Sequence, residues 1–85
     1  MNGHEANKLM QAYCEANNVS EVEMTNEHGT RTRSLSEMEV YDGVRDFCIG
    51  GAMNENVAFD NGTMTVTNRN RFTGRDSVIT IKAIQ

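Results

Sequence analysis

The chain has 85 residues, a formal net charge of −4, two cysteines and no proline. That length supports one domain, and two cysteines cannot build a disulfide framework. A sequence pI of about 5.0 argues against the usual basic nucleic-acid binder.

The opening stretch "MNGHEANKLM" carries neither the basic flank nor the apolar run of a secretion signal. No apolar stretch approaches membrane-spanning length, so a cytoplasmic protein is expected. From Glu5 to Asn18, residues Ala6, Leu9, Met10, Tyr13 and Cys14 recur at three- and four-residue spacing, which predicts a short amphipathic helix. Asn17 and Asn18 are its expected stop, because asparagine tolerates the left-handed conformation.

The period then changes to two. Val22 and Met24 alternate with acids and threonines, and "TRTR" alternates again after "NEHG". A three-residue loop Glu27-His28-Gly29 predicts a hairpin in which Glu23 faces Arg33. The run "LSEMEVYDGVRDFCIGG" predicts a second helix, with Ser36 and Glu39 as a capping box and Leu35 and Val40 as a staple. Val40, Tyr41, Val44, Phe47 and Cys48 would form its buried stripe, and Gly50-Gly51 its end. Gly43 is the discordant residue, costing about 1 kcal/mol in a helix interior.

The last third reads as β. Asn61-Gly62 between alternating runs predicts a two-residue hairpin turn that pairs Phe59 with Met64 and Val57 with Val66. A turn centred on Gly74-Arg75 would then bring "SVITIKAI" alongside, setting Val66 beside Ala83 and Asn68 beside Ile81. The expected fold is a single α+β domain in the order α-β-β-α-β-β-β, an antiparallel sheet whose C-terminal three-stranded meander packs against two helices.

The core is thin. Leu, Ile, Val and Phe number only 16, so the six methionines must fill part of it. A marginal core can gain stability from a partner or a second copy. The edge left by the last two strands makes a homodimer and a monomer equally compatible with the sequence. Cys14 and Cys48 read as free thiols at near-apolar helical positions, and a redox pair would require the two helices to touch.

Candidate function concentrates in "NRNRFTGRD", residues 68–76. Arg69, Arg71 and Arg75 surround Phe72, the composition of an anchor for an acidic protein surface. The blander alternative is a solvated hairpin tip. Residues 1–59 hold ten acids and four bases, whereas residues 60–85 hold two acids and four bases, giving an acidic body with a mildly basic end. Three arginines fall short of the six to ten phosphate contacts of typical DNA binders, so a nucleic-acid-binding module, aided by Arg31 and Arg33, ranks second.

Glu37, Glu39, Asp42 and Asp46, with Glu55, would line the second helix as an acidic surface. It is either a solvated face or, in the sharper version, a phosphate mimic for a basic groove. His4 and His28 are the only histidines, separated by a helix and a strand, short of the three converging ligands that a metal site needs, and no nucleophile–base spacing or glycine-rich phosphate loop is present. The expectation is therefore a small protein-binding module, an inhibitor, adaptor or regulator of a larger partner, with no catalytic residues, no cofactor and no membrane attachment. Compact chains of this kind are common among bacteriophage-encoded proteins that bind host factors.

Overall fold

Asn2 starts the first helix by accepting the Glu5 backbone N–H on its side-chain Oδ1 at 2.8 Å, which satisfies one of the unpaired donors of the first turn. In the computed structural model, which describes residues 1–51 and 53–85, this helix α1 spans Gly3–Ala16. It ends as expected at Asn17 and Asn18, the latter with φ of +55°. The buried side differs by one residue from the spacing-based stripe. Leu9 is 43% exposed, and Asn7 lies in the core with Ala6, Met10 and Cys14.

Among the described residues seven strands follow: β1 (Glu21–Asn26), β2 (Gly29–Ser34), β3 (Val40–Tyr41), β4 (Val44–Arg45), β5 (Val57–Asp60), β6 (Thr63–Arg69) and β7 (Asp76–Ala83). Five form one antiparallel sheet in the order β2-β1-β7-β6-β5, and β3 and β4 pair separately. The fold is mixed α+β, mostly β.

The Asn61-Gly62 hairpin is borne out. Val57 pairs with Val66 and Phe59 with Met64, with φ of +45° and +84° at the two turn residues. The β6–β7 register is corrected: Val66 pairs with Ile79 and Asn68 with Ser77, not with Ala83 and Ile81. The offset is an even number of residues, so Ile79 and Ile81 still face the core as expected. In the first hairpin the loop is one residue shorter than expected. Asn26 pairs with Gly29, Glu23 with Thr32 and Val22 with Arg33, so Glu23 and Arg33 lie on opposite faces.

The second helix does not form. Leu35–Glu37 make a single 3-10 turn, and β3 and β4 replace the rest around Asp42 (φ +53°) and Gly43 (φ +78°). Two successive positive φ values are the signature of the hairpin turn that Asp-Gly favours. Ile49 and Gly50 also take positive φ, at +52° and +82°. In the expected helix Gly43 alone would sit in the interior, at about 1 kcal/mol, whereas in the hairpin turn it takes the positive φ that glycine adopts freely. Val40 and Tyr41, expected in its buried stripe, are 54% and 58% exposed.

What covers the sheet is therefore one helix and a long irregular segment. α1 packs against β4, β5 and β6. Leu35, Met38 and Phe47 supply the remaining cover and join Met10, Val22, Met64, Val66 and Ile81 in the core. Four of the six methionines, Met10, Met24, Met38 and Met64, are buried there, as the short supply of aliphatics requires. The opposite face of the sheet is threonine-rich. Thr30, Thr25, Thr80 and Thr65 stand in register across four strands.

Candidate functional site

Residues 70–75 form the loop between β6 and β7, and their order comes from Asn70. Its side-chain Oδ1 accepts the N–H groups of Phe72 (2.9 Å) and Thr73 (3.2 Å). Its main-chain N–H donates to Arg75 O at 2.9 Å, and its C=O accepts from Gly74 N–H at 2.8 Å. An asparagine that binds the backbone two residues ahead organises a turn without help from the core. Gly74, at φ +71°, supplies the left-handed position. The loop therefore presents Phe72 fully to solvent, with Arg69, Arg71 and Arg75 exposed around it. Among the described residues the one ion pair joins His28 Nε2 to Glu27 Oε1 at 3.6 Å, so none of these arginines is in a direct ion pair, although Arg69 stands across the ladder from Asp76.

The acidic surface expected on a second helix is dispersed. Glu37 lies in the 3-10 turn, Asp42 in the β3–β4 turn, and Glu39 accepts the Tyr41 hydroxyl at 2.6 Å. That hydrogen bond and the carboxylate charge hold the Tyr41 phenol above its ordinary pKa. Asp46 is not on the surface at all, being 5% exposed. Its Oδ1 accepts from Cys48 N–H (3.1 Å) and from the Asn7 amide (3.3 Å), and its Oδ2 accepts from Gly50 N–H. Asn7 in turn accepts Phe47 N–H at 3.0 Å on its Oδ1. One helical turn later, Gln11 donates to Gly43 O (3.0 Å) and accepts from Arg45 N–H (2.7 Å). These two carboxamides of α1 read the backbone of residues 43–47 and fix the segment that replaced the helix.

The cysteines are both free. Cys14 is buried in α1, whereas Cys48 is half-buried in a turn and not helical as expected. Burial, with the Asp46 charge beside it, pushes the Cys48 thiol up to about 11. Burial likewise raises Cys14, partly offset by Arg45. Both are thus poor nucleophiles at neutral pH. Among the described residues no three His, Cys, Asp or Glu side chains gather in a metal-binding cluster.

A second basic region emerges from the corrected register. Arg31 pairs with Met24 and Arg33 with Val22, which puts both arginines on the core-facing side of β2. They border a groove of about 400 Å³ floored by Met24 and Ile79 and walled by Ile49. Among the described residues no carboxylate lines it. Ile49 is 57% exposed although β-branched and left-handed, a conformation that costs about 1–2 kcal/mol for a residue with a Cβ. Replacing Ile49 with glycine is expected to raise stability by about 0.5–1 kcal/mol, since the strain relieved exceeds the entropy glycine adds to the unfolded chain. A thermal melt that shows no gain would mean that Ile49 packs better than its exposure indicates.

The two ends of the sheet differ. On β5 the chain's own Met1 occupies the outer side, its amino group donating to Val57 O (3.1 Å) and its C=O accepting from Val57 N–H (3.3 Å). β2 is the other edge, with no strand beyond it among the described residues. The last two strands, from which a self-associating edge was expected, lie inside the sheet. No protein-family model, curated protein or solved structure matches the chain.

Proposed function

We propose that the chain is a small non-enzymatic protein-binding module, an inhibitor, adaptor or regulator, that presents the loop at residues 68–76 to an acidic patch on a larger partner. The observation that carries this reading is Phe72, wholly exposed on a loop held by the Asn70 hydrogen bonds and flanked by three exposed arginines that form no direct ion pair among the described residues. An aromatic on an ordered loop loses little entropy when it docks, and arginines beside it are typical of interface anchors. The acidic remainder of the chain disfavours a polyanionic partner such as nucleic acid, although the same ring could stack on a base.

The test is a tagged pull-down from host-cell lysate, with and without nuclease, read by mass spectrometry. The expected result is a nuclease-resistant protein whose recovery falls at least about tenfold when Arg69, Arg71 and Arg75 are changed to alanine. The fold should be unaffected, because all three side chains are exposed. Unchanged recovery by the triple variant would remove the loop from the interface. Recovery that vanishes with nuclease would transfer the loop to nucleic-acid binding.

A further inference from the structure

We infer that the outer edge of β2 is a second docking site, which takes an extended acidic segment of a partner protein as a sixth strand. This surface lies apart from the 68–76 loop and does not rest on the function proposed for that loop.

Three observations lead to it. The first is the free backbone. Leu35 N–H donates to Ser20 O at 2.9 Å, which fixes the alternation of the β1–β2 ladder. Residues 29, 31 and 33 therefore bond inward to β1, and Thr30, Thr32 and Ser34 turn their N–H and C=O groups outward. A row of such groups is a ready template for another strand. The second is the contrast with β5, a shorter edge on which Met1 already pairs with the N–H and C=O of Val57, so that the longer open edge is the β2 one.

The third is charge, and it selects the occupant. Arg31 and Arg33 project from the same face of β2, two residues apart, beside a groove without a carboxylate. An added strand places its alternate side chains directly beside them, where glutamate or aspartate can accept guanidinium hydrogen bonds. A second copy of this chain is the wrong occupant. An antiparallel β2–β2 pair centred on Thr32 would set Arg31 of one copy against Arg33 of the other, twice, and like charges directly opposite are destabilising. The arginines thus protect the edge against self-pairing and admit an acidic strand.

The experiment titrates the full chain, followed by amide NMR shifts, with a short synthetic peptide alternating glutamate and threonine. A lysine-for-glutamate peptide and an oligothymidylate serve as comparisons. Shifts are expected to concentrate at Thr30, Thr32 and Ser34 with the glutamate peptide alone. Thr32→Pro removes an outward N–H without touching the inner ladder, a change that edge strands tolerate. It should weaken binding about tenfold, as should Arg31→Glu with Arg33→Glu. The Arg69, Arg71 and Arg75 alanine variant should bind the peptide normally, which separates this site from the loop. No binding in the millimolar range, equal binding of the lysine peptide, or binding that survives Thr32→Pro in a folded variant would overturn the inference. So would oligothymidylate binding that depends on Arg31 and Arg33 but not on the Thr32 N–H.

Discussion

Asp46→Ala is expected to lower stability by about 3 kcal/mol, measured as the free energy of urea unfolding. Hydrogen bonds to a carboxylate are worth about 1.5–3 kcal/mol, and each buried donor left without an acceptor costs about 1–3. Three donors lose their acceptor at once: Cys48 N–H, Gly50 N–H and the Asn7 amide. For 85 residues the typical range is a total of about 4–13 kcal/mol, so this variant gives up a large fraction of the fold. Asp46→Asn keeps the shape but turns an amide N–H₂ toward one of the backbone donors. It should cost about half as much, and it remains measurable if the alanine variant does not fold. Asn7→Ala removes the same clasp from the helix side. The double variant should therefore cost less than the sum of the singles. A loss below about 1 kcal/mol for Asp46→Ala, or strict additivity with Asn7→Ala, would show that the 46–50 turn is held by apolar packing of Phe47 instead.

The clasp also shows what the sequence could and could not disclose. The Asn61-Gly62 hairpin and its register were legible because every signal lies within ten residues. The 68–76 loop was legible as a tip for the same reason, since Asn70 and Gly74 act on their own neighbours. The facing of Ile79 and Ile81 survived a register error, because a side-chain period of two forgives an even slip. The second helix failed where two local signals conflicted. Ser36 and Glu39 matched a capping box, while Asp42-Gly43 matched a hairpin turn, and the tie was broken by Asn7 and Gln11 far away in the chain. Asp46 read as a solvated acid, because no pattern announces that a carboxylate will meet an asparagine 39 residues earlier. The pairing of β1 with β7 is longer-range still. It decides which edge is free, and with it the β2 site. The one usable hint was Arg31 and Arg33 in strict alternation. On an edge strand that pattern puts both charges on one face, but only the correct loop length says which face.

Gly62→Ala should be the second costly change, at about 2–5 kcal/mol, and it probes the seam between α1 and the β5–β6 turn. Two terms contribute. Gly62 sits at φ +84°, where any residue with a Cβ pays about 1–2 kcal/mol. The added Cβ would also lie 2.5 Å from Tyr13 Cε1 and 2.6 Å from Cζ, well inside contact distance. Two contacts oppose a swing of Tyr13 out of the way. Its ring packs edge-on against Phe59 with centroids 6.4 Å apart, and its hydroxyl accepts from Gln85 Nε2 at 2.9 Å. Gly62 is tied as well, because its C=O accepts Ala83 N–H at 2.9 Å. Overpacking of this kind typically adds about 1–3 kcal/mol. Gly43 is the internal control, with a similar φ of +78° and nothing within 4 Å of its would-be Cβ. Gly43→Ala should therefore cost only the backbone share, about 1–2 kcal/mol. Adding Tyr13→Ala to Gly62→Ala should recover part of the steric share, so that the double variant is less damaged than the two singles together. Equal losses at Gly43 and Gly62 would mean that the Tyr13 ring yields, and that the helix rests on this turn more loosely than the close approach of Gly62 implies.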